Sequence, residues 1–179
     1  KNVPQLLSGK VVACLFFEPS TRTRLSFESA ALRLGAGVIS VENASENSSA
    51  FKGESIEDTT KMVQGYAEII VMRHSKSGMA ERAAKVASVP VINAGDGPNQ
   101  HPTQALLDLY TINKEHKKLE GLTIAFVGDL IYGRTLHSLL PILAQYENNK
   151  FFFISPKELA LPEEYKKELE KMDIKNYDS

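Results

Sequence analysis

Residues 20–24, Ser-Thr-Arg-Thr-Arg, place three hydroxyls and two guanidiniums within five consecutive positions. A phosphate oxyanion suits that set: short hydroxyl donors, and a planar fork that grips two oxygens at once. The apolar run Val11-Val12-Ala13-Cys14-Leu15-Phe16-Phe17 precedes it, and Leu25, Phe27, Ala30, Ala31 and Leu34 follow at helical spacing. The pattern predicts a buried strand, a break at Pro19, and a helix with Ser20 as its N-cap. Free N–H groups at that helix start add partial positive charge. A capped helix with surface arginines is the plainer reading. Arginine in a first turn opposes the helix dipole, however, so capping alone gives no reason for two.

Four further stretches carry chemistry. Arg73 closes an apolar run at 68–73, where it reads either as an anion clamp or as half of a salt bridge. Residues 94–108 hold a tight turn at Gly95, Gly97 and Pro98, then His101-Pro102-Thr103-Gln104. Pro102 fits the first position of a helix, which makes His101 the N-cap and lets it share a ligand with Gln104. A histidine there tends to stay neutral, because the helix dipole disfavours the imidazolium. Its plainer role is a cap with no ligand. Gly128, Gly133 and Thr135 imitate the spacing of a phosphate-binding P-loop, but Arg134 stands where that loop needs lysine. Arg134 reads better as a carboxylate clamp at a helix start. Residues 43–54 form a polar loop, either a plain surface loop or an arm that delivers Lys52 and a serine to an anion.

Alternating elements position these groups. Strands are expected at 11–17, 37–42, 68–73, 89–94, 122–128 and 150–155. Helices are expected at 22–34, 54–66, 79–87, 102–116, 132–147 and 162–172. Such alternation implies an α/β fold with a parallel sheet covered by helices on both faces, with ligands beyond the carboxyl ends of the strands. The polar stretch 115–121 marks a boundary between a first domain, 1–116, and the beginning of a second, 121–179. Two strands and two helices are too little to complete that second domain.

Composition excludes some roles. The 179 residues are 42% apolar and 24% charged, with a net charge of −1, so no basic excess points to nucleic acid. No apolar run approaches a membrane span and no signal-peptide pattern opens the chain, so a cytoplasmic location is the expectation. The single cysteine, Cys14, falls in a buried strand and reads as core filler. The four histidines are scattered and call for no metal, and no cofactor is implied.

Together, Ser-Thr-Arg-Thr-Arg at 20–24, Lys-Gly-Glu at 52–54, Met-Arg-His at 72–74 and His-Pro-Thr-Gln at 101–104 resemble the aspartate/ornithine carbamoyltransferase family. Gly-Asp-Leu-x-Tyr-Gly-Arg-Thr at 128–135 resembles its aspartate branch; the ornithine branch shares the first and fourth motifs but lacks the Lys-Gly-Glu loop and carries an asparagine-containing pattern in place of Tyr132-Gly133-Arg134-Thr135. The likeness covers residues 6–155. It implies transfer of a carbamoyl group from carbamoyl phosphate to the amino group of L-aspartate, a step of pyrimidine synthesis. It also implies roles. Ser20, Thr21, Arg22 and Thr23 hold phosphate. Thr23, Arg73 and His101 polarise the carbamoyl oxygen. Gln104 binds the carbamoyl amino group and Arg134 a carboxylate of aspartate. Lys52 and either Ser48 or Ser49 come from the neighbouring subunit of a homotrimer. Whether a regulatory chain binds is left open.

Two departures qualify the likeness. Ile131 stands where the family commonly has lysine, which removes any closure salt bridge made by that residue. The family's later substrate loops and its terminal helices have no counterpart in this chain. The expectation is therefore a truncated chain that binds carbamoyl phosphate with little turnover. The rival readings are a carbamoyltransferase for ornithine or another amine, and a non-catalytic anion-binding fragment.

Overall fold

The computed structural model describes residues 4–44, 53–97, 101–172 and, as backbone, 175–178. The chain divides into two compact units, residues 1–99 and 100–179.

The first unit is a four-stranded parallel sheet in the order β2-β1-β3-β4. Its strands are β1 (Val11–Phe16), β2 (Gly37–Glu42), β3 (Ile69–His74) and β4 (Val91–Asp96). Its helices are α1 (Thr21–Arg33), α2 (Ile56–Val63) and α3 (Met79–Val86). Side chains alternate across a strand, so β1 feeds two cores. Ala13, Leu15 and Phe17 join Ile70 and Met72 against Ile56 and Val63 of α2 and Ala83 of α3. Val12, Cys14 and Phe16 join Val71 against Ala31 and Phe27 of α1. Both faces of the sheet are thus covered, as the apolar run at 11–17 requires. β2 is one of the two edge strands and is largely exposed.

β4 begins two residues later than the spacing predicts. Pro90 has no N–H to give to a ladder; it accepts instead from Ile70 N at 2.9 Å, and pairing starts at Ile70↔Val91. The register then slips. Met72 pairs with Asn93 but His74 pairs with Asp96, so Arg73 faces two residues, Ala94 and Gly95. That extra residue is a bulge at the end of the strand where Arg73 sits.

The second unit holds a parallel sheet in the order β5-β6-β7, made of β5 (Thr123–Val127), β6 (Lys150–Ile154) and β7 (Lys175–Asp178). Its described residues include the α-helices α4 (Pro102–His116), α5 (Arg134–Leu143) and α6 (Glu163–Lys171). Ala105 and Leu109 of α4 pack with Leu136, Leu139, Leu140 and Leu143 of α5 and with Phe151 and Phe153 of β6. Buried Asn149 stitches this core. Its amide donates to the carbonyls of Leu119 and Leu143 and accepts from Leu122 N, each at 2.9 Å. β7 lies in the charged stretch after 172, where periodicity gave no strand. α5 is shorter than the predicted 132–147, because the residues after Leu143 tighten into turns closed by Gln145 N→Ile142 O and Tyr146 N→Leu143 O.

Candidate functional site

In the first unit, Ser20 is the N-cap of α1 in extended conformation, yet its side chain makes no capping bond. Helix geometry leaves the first-turn N–H groups of Thr21, Arg22 and Thr23 without intrahelical acceptors. No acidic residue stands in that turn. Donors therefore accumulate with nothing negative among them. The two arginines separate in function. Arg24 is committed to carboxylates: Nη1 donates to Glu42 at 2.5 Å, and Nε lies 3.7 Å from Glu28. Arg22 is exposed and has no ion-pair partner among the described residues. Of the pair, Arg22 is the one available to an incoming anion.

Arg73 is held on three sides. Its carbonyl accepts from Phe17 N at 2.9 Å, which ties the end of β1 to the end of β3. Its Nη2 meets Glu18 Oε1 at 2.7 Å, and its Nη1 donates to Ala94 O at 3.1 Å. Its Nε is buried with no partner among the described residues. The guanidinium lies over Gly95, whose φ is +120°; a Cβ there would stand 2.8 Å from Nη1. The bulge and the glycine together make the space for a nearly buried cation.

Next to Arg73, His74 stacks on Phe17 at 4.9 Å, and its Nδ1 accepts from Lys76 N at 2.9 Å. Burial pushes its pKa below the usual 6.5, and Lys76 pushes the same way. His74 is a structural neighbour of the arginine. Ser48, Ser49 and Lys52 lie outside the described residues. Just past them, Glu54 accepts from Thr59 Oγ1 at 3.1 Å, and Ser55 caps α2 by accepting from Asp58 N.

In the second unit, His101 is the N-cap of α4 and Pro102 its first residue. His101 Nδ1 accepts from Gln104 N at 3.2 Å, with Thr103 Oγ1 at 3.3 Å. A neutral ring that accepts at Nδ1 carries its proton on Nε2. His101 N donates to Ser138 Oγ at 2.8 Å, and Ser138 donates to Arg134 O at 2.9 Å. One buried hydroxyl thus ties the start of α4 to the start of α5. Gln104 Nε2 donates to Asp108 Oδ1 at 2.9 Å. Arg134 is the first residue of α5, behind the N-cap Gly133, where a Cβ would stand 2.6 Å from Asp129 O. Ile131 is half-buried beside exposed Tyr132, whose N–H is held by Asp129 Oδ1 at 2.9 Å.

Each unit therefore gathers its own set of predicted residues. Ser20, Thr21, Arg22, Thr23 and Arg73 cluster at strand ends in the first, and His101, Gln104 and Arg134 sit at helix starts in the second. Sequence reasoning assigned no role to Glu18, Ser138 or Asp108, and to Gly95 only a turn. Glu18 lies between the run at 11–17 and Pro19, and Asp108 stands four residues from Gln104, a spacing that faces the same side of a helix. Among the described residues no group of His, Cys, Asp or Glu could hold a metal ion, and no helix is long and apolar enough to cross a membrane.

Parallel sheets flanked by helices define an α/β protein, with hydroxyl and guanidinium donors beyond the strand ends of the first unit. A profile described as "Aspartate/ornithine carbamoyltransferase, carbamoyl-P binding domain" matches residues 1–114, and the chain belongs to that family. The aspartate carbamoyltransferase catalytic subunit of Methanocaldococcus jannaschii is 54% identical over 178 residues, 99% of this chain and 58% of the relative. The Bacteroides fragilis catalytic subunit is 59% identical over 162 residues, 90% of this chain and 52% of the relative. Aspartate transcarbamoylase from Trypanosoma cruzi, solved with carbamoyl phosphate and aspartate, superposes with a TM-score of 0.88 at 39% identity, covering 99% of this chain and 60% of that one. The chain spans somewhat over half the length of the relatives named here.

Proposed function

We propose that this chain serves in an aspartate carbamoyltransferase, as the part that binds carbamoyl phosphate and begins the binding of L-aspartate. The carbamoyl phosphate-binding domain is read as 1–116 and the start of the aspartate-binding domain as 121–179. The observation that carries the reading is the donor set at the start of α1, where Arg22 has no ion-pair partner among the described residues and Ser20 makes no capping bond, beside the nearly buried Arg73 at the end of β3.

In this reading Ser20, Thr21, Arg22 and Thr23 hold the phosphate. Arg73, His101 and Thr23 donate to the carbamoyl oxygen, His101 through Nε2–H. Gln104 takes the carbamoyl amino group. Arg134 and Lys52 engage aspartate, and Lys52 with Ser48 or Ser49 belongs to the neighbouring subunit of a homotrimer. The aspartate amine attacks the carbamoyl carbon, and negative charge grows on its oxygen. Each fixed donor at that oxygen is worth about 3 kcal/mol in the transition state. A C–N bond forms, the C–O bond to phosphate breaks, and the departing phosphate takes the amine proton. Products are N-carbamoyl-L-aspartate and phosphate, so neither a metal nor a protein base has a step to perform. A cytoplasmic setting belongs to the same reading.

The test is acceptor choice in the full protein. Product formation with L-aspartate and none with L-ornithine supports the reading, and the reverse order overturns it. Light scattering of the same sample gives the mass of the assembly and tests the trimer.

A further inference from the structure

We infer that Asp108 is a positioning residue that sets which end of the Gln104 amide meets the substrate. The inference rests on the proposed role of Gln104 toward the carbamoyl amino group. A glutamine amide has two faces of opposite character: an NH₂ that only donates and a carbonyl oxygen that only accepts. The carbamoyl –NH₂ is a donor, so only the carbonyl end of Gln104 can receive it. A free side chain populates both orientations, and the wrong one sets donor against donor.

Asp108 removes that ambiguity. It stands four residues on from Gln104, on the same side of α4, and its Oδ1 lies 2.9 Å from Gln104 Nε2. A carboxylate has only acceptors to offer, so the amide nitrogen is drawn to Asp108 and Oε1 turns the other way. Asp108 is half-buried at the border of a cleft shared with Asp129, Gly133 and Thr135. The backbone on which Gln104 sits is fixed as well: its N–H is given to His101 Nδ1, and Ala105 beside it is fully buried. With the backbone and one amide N–H pinned, Oε1 is the acceptor that the Gln104 side chain has to offer, beside its second N–H. The negative charge also polarises the amide and makes Oε1 a better acceptor.

Acetyl phosphate provides the test, because it replaces the carbamoyl –NH₂ with a methyl group and keeps the rest. Titration calorimetry on the full chain compares carbamoyl phosphate and acetyl phosphate for wild type, Asp108→Ala, Asp108→Asn, Gln104→Ala and the double variant. The expected result for Asp108→Ala is about a fivefold loss of carbamoyl phosphate affinity, the weight of one charge-assisted orienting bond, with acetyl phosphate affinity unchanged. Asp108→Asn keeps an acceptor for Gln104 and recovers part of the loss. On the Gln104→Ala background, removal of Asp108 costs nothing further. An equal loss on both ligands would make Asp108 merely structural and overturn the inference, as would additive losses in the double variant. A wild type that binds both ligands equally removes the role of Gln104 and the inference with it. A wild type that binds neither overturns the functional reading itself.

Discussion

Gly95→Ala probes the seat of Arg73 most sharply. The new methyl would stand 2.8 Å from Arg73 Nη1 and 3.4 Å from Cζ, at a backbone φ of +120°. The end of an arginine is normally free to move aside. Here it is held by Glu18 at 2.7 Å and Ala94 O at 3.1 Å, so moving it breaks at least one of those bonds. Backbone strain at such a φ costs about 1–3 kcal/mol. Losing a buried hydrogen bond from a charged donor adds roughly 1.5–3 kcal/mol. Partial relaxation leaves an expected loss of roughly 2–4 kcal/mol, a fall in Tm of about 5–10 °C for a chain of this size. Calorimetric unfolding measures this, and carbamoyl phosphate titration on the same samples is expected to weaken at least tenfold. The check on cause is the double variant with Arg73→Ala, which removes the clash and makes the two losses clearly less than additive. Additive losses, or a Gly95→Ala protein with wild-type Tm, would refute the packing described for Arg73.

Other expectations follow from single contacts. Ser138→Ala leaves the His101 N–H without its acceptor and cuts the link to the start of α5; a loss of about 1–3 kcal/mol in urea unfolding is expected, and wild-type stability would contradict it. His74 is held neutral, with its folded pKa lowered below the unfolded 6.5, so the stability it contributes is present above pH 6.5 and falls as pH drops below that value. His74→Phe keeps the stack on Phe17 and should flatten that acid limb; an unchanged profile of Tm against pH would show that another group carries it. Burial pushes the Cys14 thiol up to about 11, so Cys14 should resist alkylation in native protein at pH 8 and react once urea unfolds it.

The sequence showed most clearly what is local. The run at 11–17 announced a strand buried on both faces, because its alternate residues feed two cores. The N-caps Ser20 and His101 were legible from residue type and from Pro102. Pairings between distant residues were not. Glu18 and Arg73 are 55 positions apart, and only the sheet register makes them neighbours. The bulge that seats Arg73 over Gly95 depends on where β4 begins, which Pro90 shifts. Composition separated Arg22 from Arg24 no better, since both look like surface cations until Glu28 and Glu42 claim one of them. The polar stretch at 115–121 marks the end of a helix. It does not reveal which core that helix joins, and Ala105 and Leu109 pack with α5 and β6 of the second compact unit.

The phosphate site proposed at the start of α1 takes Arg22, not Arg24, as its cation. Calorimetric titration of carbamoyl phosphate into wild type, Arg22→Ala and Arg24→Ala tests this. Saturable binding that Arg22→Ala abolishes and Arg24→Ala retains is expected. Binding indifferent to Arg22, or lost equally with either arginine, would contradict it.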